Sequence, residues 1–434
     1  MRAAISGAAI TAMAGAVLLG APAASASGVP VCEVVTMAQP SNGQGGTVTE
    51  LEYVLGFGTV YAGGVHVQGA DGSVSQQPVV WRGIDGEPRR VGPQGMDGVV
   101  HEVRLSGRVS GWSIDPQGRE YAWVQSLRTG RLRMLDVGVT ERFWVQHIND
   151  RGAAAGSVWI SDTETEARIW EPGAPGSGRA LPHDALDAQA WDITNDGRVA
   201  GSVGLGEFRY QAVTWSADGT LTRLASNPGS VVDTSARLIN ERGEAAGHAL
   251  WGDQFTGHYE AARWRTPTEL ESLGLLPDGG FSAALGQSEG GWIVGVAEHW
   301  DPGGAEPDLG PGIHAVLWTD EVDHVRVLPS PHAVANGIDD WRQWQSSGAY
   351  AVDTRLDQVG GSAQSALPGD AFRFDPVVYL HASQCGERVP TTHTAHWEQP
   401  PPGTTAAPTG ATQAVSPRPE GYDRAAIEER VSDR

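Results

Sequence analysis

The chain is predicted to be all-β, a single β-propeller of seven four-stranded blades closed by a clasp between its N- and C-terminal segments. Three observations predict this. A repeat of about 45 residues runs through the chain. Each copy resolves into short strands separated by glycine turns. Seven copies fit between an apolar leader and a Pro-rich tail.

The first half of the repeat is plain in three copies: His147-Ile-Asn-Asp-Arg-Gly-Ala-Ala-Ala-Gly156, Asp192-Ile-Thr-Asn-Asp-Gly-Arg-Val-Ala-Gly201 and Leu238-Ile-Asn-Glu-Arg-Gly-Glu-Ala-Ala-Gly247. Weaker copies end at Gly63, Gly111, Gly295 and Gly360, and successive glycines lie 48, 45, 45, 46, 48 and 65 residues apart. The second half is Ala, two residues, then Trp, as in Ala167 to Trp170, Ala212 to Trp215, Ala261 to Trp264 and Ala315 to Trp318. Degenerate copies run from Pro78 to Trp81, Ala122 to Gln125 and Pro376 to Tyr379.

Each unit reads as four strands. In the fourth, residues 189–194 form strand A, 198–203 strand B, 210–215 strand C and 220–224 strand D. Asn195-Asp196-Gly197 and Ala217-Asp218-Gly219 supply the tight turns. Helical repeats of this period are excluded by β-branched alternation and by turns every 8–12 residues. The strand B glycine is read as allowing close backbone approach near the crowded axis. The strand C Trp is read as filling the gap between blades.

These motifs resemble the extracellular repeat family named after its His-Ala-Phe tripeptide. The tripeptide itself appears loosely, as His314-Ala315-Val316 and Tyr121-Ala122-Trp123, and the Ile-Asn-x-x-Gly half matches better. The resemblance covers about residues 50–385. It implies a secreted bacterial β-propeller and carries no family activity.

The flanks place the chain outside the cell. Residues 1–26 read as a signal peptide: Arg2, an apolar stretch from Ala8 to Gly20, and a small-residue cleavage site at Ala24-Ser25-Ala26. That stretch is too short to span a bilayer, and membrane insertion is not expected. The propeller is assigned to residues 27–398 and a Pro/Thr/Ala-rich, disordered tail to 399–434. The two cysteines, Cys32 and Cys385, bracket the propeller and are expected to pair, as exported cysteines do. Residues 47–55 are expected to supply the strand that completes the seventh blade. The net charge is −22, and all 30 basic residues are arginine. This balance opposes binding to nucleic acid or to anionic membranes and suits an extracellular monomer.

Catalytic motifs are weak. Gly286-Gln287-Ser288-Glu289-Gly290 has the letters of a nucleophile elbow, but it occupies a strand-to-strand turn of the repeat, not the strand-to-helix turn that chemistry needs. Ser113-Ile-Asp115-Pro-Gln-Gly118 reads as a turn between strands B and C. His393 and His396 lack the glutamate and helix of a zinc-protease motif. No catalytic residue, metal ligand or cofactor is assigned.

Loop lengths are more informative. From the strand B glycine to the Trp position, units two, three and four span 14 residues, whereas units five, six, seven and one span 17, 23, 19 and 18. Residues 329–347 add a long D-to-A connection. In a closed ring these insertions share one face and one sector. They carry Trp251, Asp253, His258 and Tyr259 from blade five, Trp300, Asp301 and Asp308 from blade six, and Trp341 and Trp344 from the connection. Aromatic faces beside carboxylates suit sugar rings and protein hot spots. The expectation is a secreted binding protein whose ligand, a polysaccharide or an extracellular protein, docks there. The alternatives are a propeller hydrolase or lyase working through Asp253, Asp301, Glu306 and Asp308, and a scaffold whose long loops pack on themselves.

Overall fold

A computed structural model of the chain describes residues 32–135, 143–161, 164–173, 178–206, 209–227, 232–252, 257–299, 312–320, 324–337, 346–366 and 372–392. They form seven antiparallel sheets arranged as the blades of a propeller. The inner strands, A, are Gly43–Val54, Asp97–Val103, Phe143–Ile148, Ala188–Ile193, Thr234–Ile239, Ser282–Gln287 and Ser347–Asp353, for blades one to seven. The fourth blade continues with Val199–Gly206, Arg209–Trp215 and Leu221–Arg223, within three residues of the strands read from its sequence.

Buried apolar residues fall into seven clusters, and each joins two neighbouring blades. The cluster between blades three and four, for example, contains Ile169 and Leu181 from one and Ile193, Val213 and Trp215 from the other. Every cluster holds one large aromatic from strand C: Trp81, Trp123, Trp170, Trp215, Trp264, Trp318 or Tyr379. The indole N–H of Trp215 donates to the Pro182 carbonyl at 2.7 Å, that of Trp264 to Ala225 at 2.8 Å and that of Trp81 to Ala38 at 2.7 Å. Each acceptor follows strand D of the preceding blade. The aromatic therefore fills the gap and also satisfies its one donor across it. Blade two has Gln125 at the Trp position. There Trp123, two residues earlier and so on the same face of the strand, takes over the cluster and donates to Ser113 Oγ at 2.9 Å.

The strand B glycines have an equally specific cause. Strand A of every blade shares one bulge position, after Val48, Val100, Val145, Ala190, Ala236, Ala284 and Ala349, and blade one has a second irregularity between Gly43 and Gly46. Opposite that residue stand Gly63, Gly111, Gly156, Gly201, Gly247, Gly295 and Gly361. A Cβ on Gly63, Gly111, Gly201, Gly247, Gly295 or Gly361 would lie 1.9–2.3 Å from a strand A carbonyl oxygen. In blade seven the repeat glycine is thus Gly361, and not Gly360. With two glycines in a row, only the pairing register separates them.

The turns between strands A and B link the blades at one end of the ring. The N–H of Ser106 donates to Asp150, that of Asp150 to Asn195, that of Asn195 to Glu241 and that of Glu241 to Glu289, at 2.7–2.9 Å. The polar residue of the repeat turn thus accepts from the turn of the preceding blade, over blades two to six.

Closure differs from expectation in one respect. Residues 47–55 lie in and just past the inner strand of blade one, and the strand that completes blade seven is Glu33–Thr36, paired with Leu380–Val377. A four-residue strand carries too little alternation to stand out in a sequence. Past the ring, Glu387–Pro390 adds a fifth strand to blade six. The Cys32–Cys385 disulfide forms, with 4.7 Å between Cα atoms, and ties the residue before the closing strand to the segment between strand C of blade seven and Glu387–Pro390. Among the described residues no helix is long and apolar enough to cross a membrane.

Two outcomes test this account. Reduction, or Cys385→Ser, should cost about 2–5 kcal/mol in denaturant unfolding. An unchanged midpoint would mean that backbone pairing alone holds the ring closed. Gly247→Ala should cost about 1–3 kcal/mol, because its Cβ would have to displace the Ser235 carbonyl.

Candidate functional site

The residue that follows each strand A bulge faces a central channel. In blade order these are Glu50, Glu102, His147, Asp192, Leu238, Gly286 and Ala351, and all seven line one cavity of about 220 Å³. Blades five to seven show what the axis accepts when only packing is asked of it: Leu, Gly and Ala. Blades one to four place three carboxylates and an imidazole at the same position. Burying charge is costly unless it is paired, so the fold by itself does not call for them.

The pairing is tight. His147 Nδ1 contacts Glu102 Oε2 in a very short hydrogen bond and lies 3.5 Å from Asp192 Oδ1. Arg104, from the turn after strand A of blade two, reaches Glu102 Oε1 at 3.0 Å and Asp192 Oδ1 at 3.6 Å. The Arg104 Nε also donates to the Ile148 carbonyl at 2.6 Å, which anchors the guanidinium. Asp192 is fixed from behind, because its two oxygens accept the N–H groups of Ile193 and Ile239 at 2.7 and 2.8 Å. Glu102 is 3% exposed and Asp192 6%. One donor atom from each of Glu102, His147 and Asp192 falls within 4.8 Å of the others, the geometry of a metal-ligand set.

Electrostatics follow from burial and neighbours. Burial opposes charge on His147, but Asp192 and Glu102 outweigh it and raise the imidazole above its ordinary value. Burial, then the charge of Glu102, pushes the Glu50 carboxyl well up. Burial, then His147, pushes the His101 imidazole down to about 4. The channel thus gathers titratable groups shifted in opposite directions within one cluster, an arrangement more common at functional sites than elsewhere.

The cavity follows the second half of strand A toward the A–B turns, including Ser288, Glu289, Thr354 and Arg355. This is the end opposite the long loops singled out from sequence. Of those loop residues, Asp253, Trp300, Asp301, Asp308, Trp341 and Trp344 lie outside the described residues, as do Glu306, His393 and His396. The other three sit together in blade five, with Trp251 opposite His258 and Leu250 opposite Tyr259. Trp251 packs against the cluster between blades four and five. His258 Nε2 meets Glu260 at 2.6 Å, and the Tyr259 hydroxyl donates to Asp233. In blades one and seven the extra residues lengthen the B–C hairpin itself, to Gly58–Gln68 with Val74–Arg82 and Gln358–Ala366 with Phe372–Leu380. The long D–A connection carries the short helix Pro331–Asn336. Ser288 lies in a strand-to-strand turn and hydrogen-bonds Trp292, as its place in the repeat requires. Asp115 caps its own turn by accepting from the N–H groups of Gln117 and Arg119.

The channel cluster was missed from sequence although its signal was present. His147, Asp192 and Leu238 are the first residues of the three clearest repeat copies. Aligning that column across all seven units exposes the polar half of the ring.

A raised folded-state value gives His147 a definite pH signature. Its contribution to stability is fully present below its ordinary value near 6.5 and is lost as pH rises through the folded value. The stability difference between wild type and His147→Gln should therefore be largest in acid and shrink toward alkaline pH. Asp192→Asn should lower the His147 titration midpoint observed by NMR. A midpoint that does not move would separate the two groups.

No protein-family model matches the chain, and no curated protein matches it in sequence. Among solved structures it is similar to the β-propeller domain of the trilobed protease from Pyrococcus furiosus, at a TM-score of 0.47 and 9% identity, over 82% of this chain and 99% of that one. It is similar to a puromycin hydrolase at 0.49 and 14%, over 83% of this chain and 57% of the other. For TolB from Acinetobacter baumannii the values are 0.39 and 12%, over 75% and 80%. The likeness at these identities is one of fold, and the fold is a seven-bladed β-propeller with clasped ends.

Proposed function

We propose that this is an exported β-propeller that binds an extracellular polysaccharide, whose terminal or branching unit enters the central channel from the A–B end. One observation carries the reading: the half of the ring that is polar at positions where the other half is Leu, Gly or Ala. The channel offers the two surfaces a sugar unit needs. Carboxylates and an imidazole on blades one to four accept and donate to hydroxyls, and Leu238, Ala284, Ala351 and Val352 present an apolar wall to the C–H face. Its volume of about 220 Å³ lies below the ~300–1,000 Å³ of pockets for drug-sized ligands, so it suits one small group and not a length of chain. Export is supported by the leader at residues 1–26 and by the disulfide.

The long-loop face remains a second reading. The lengthened B–C hairpins of blades one and seven favour it, because they project a broad surface there. An extracellular protein is the partner that surface suits.

The test incubates purified protein with insoluble cell wall, chitin, cellulose and xylan, and records depletion from solution together with soluble sugar released. Depletion by at least one polysaccharide, reduced tenfold or more by Glu102→Gln and little changed by Trp251→Ala, is expected. Loss with Trp251→Ala alone would move the site to the opposite face. Release of soluble sugar would make the protein a hydrolase or lyase.

A further inference from the structure

We propose that Glu102, His147 and Asp192 form a binding site for one divalent transition-metal ion, Zn²⁺ in the first instance, on the wall of the central channel. The site is argued from its own ligands and does not require a saccharide.

Three inner strands, each about 45 residues from the next, bring one donor atom apiece from Glu102, His147 and Asp192 to within 4.8 Å of one another, and His147 Nδ1 itself meets Glu102 Oε2 and lies 3.5 Å from Asp192 Oδ1. One imidazole nitrogen with two carboxylate oxygens is the mixed N/O set that Zn²⁺ and its neighbours accept, whereas Ca²⁺ and Mg²⁺ take oxygen alone. The ligands are held in place by groups that would not themselves touch the ion. Arg104 pairs with the other oxygen of Glu102 at 3.0 Å and flanks Asp192 Oδ1 at 3.6 Å, and the N–H groups of Ile193 and Ile239 hold the carboxylate of Asp192. Outer partners of this type orient metal ligands and sharpen their affinity.

Space agrees. Three protein ligands leave a coordination position open toward the cavity, as in metal sites that receive a further ligand. A second observation points to a polar occupant. Gln287 lines the same cavity, and among the described residues neither its amide oxygen nor its amide nitrogen has a hydrogen-bond partner, although both atoms are buried. Buried amides are satisfied in folded proteins by protein, water or ligand.

The experiment treats the full chain with chelator, dialyses it and titrates it with ZnCl₂ by calorimetry and with CoCl₂ by visible absorption. One equivalent of Zn²⁺ at micromolar or tighter dissociation constant is expected, with a Co²⁺ ligand-field band that Zn²⁺ bleaches. Asp192→Asn and His147→Gln should each weaken binding tenfold or more, and His393→Ala with His396→Ala should leave it unchanged. Absence of uptake by wild type overturns the proposal whatever the variants do. One equivalent that persists in folded Asp192→Asn and His147→Gln proteins, or that is lost with His393 and His396, overturns it equally. Because uptake is read without any polysaccharide, a failed metal site and a failed saccharide site give different results.

Discussion

The contact between one blade and the next is the constraint on which the rest of this propeller depends. No blade has a core of its own. Each sheet buries its faces only against its two neighbours, and the seven apolar clusters are all inter-blade clusters. At the outer part of each contact a strand C aromatic spans the gap, and three of the tryptophans described also bond a carbonyl of the blade behind. Within each blade, the strand A bulge presses a carbonyl oxygen so close to strand B that the facing residue can have no Cβ. The aromatic thus fills the gap between two blades, the glycine admits the bulge inside one, and seven such blades close a ring. Closure then becomes a matter of its ends, met by the Glu33–Thr36 strand and the disulfide beside it.

The same geometry explains how a chemical cluster can arise from residues far apart in the chain. The strand A bulge recurs in every blade and turns the next side chain toward the axis. A ring therefore gathers one column of its repeat into one place. In this chain the column is polar over four blades and apolar over three, so the channel has two unlike walls. The cluster is stabilised by its own internal pairing. Arg104 and His147 offset Glu102 and Asp192, and backbone N–H groups satisfy the remaining oxygens of Asp192. Removing one member leaves the others buried and uncompensated, which is the costly direction for a buried ion network.

Ends and faces of the ring are used differently. The A–B end carries the turn-to-turn hydrogen bonds of blades two to six and the mouth of the charged channel. The opposite end carries the lengthened hairpins and the helix of the sixth connection. In blade five, the described members of the long-loop group spend their polar atoms on neighbours: His258 on Glu260 and Tyr259 on Asp233. Such bonds order a long hairpin.

By itself the sequence pointed to seven blades, to the strand order within each, to the strand C aromatic and the strand B glycine in six of the seven, and to the pairing of Cys32 with Cys385. All of these rest on local period or on the rule that the ends of a ring meet, and neither needs coordinates. Tertiary structure alone decided the rest. It chose Gly361 over Gly360, because only register tells adjacent glycines apart. It gave the closing strand to Glu33–Thr36, because four residues carry no readable period. And it brought Glu102, His147 and Asp192 together, because residues 45 apart in a line become neighbours only when the line is wound around an axis and every turn presents the same position to the centre.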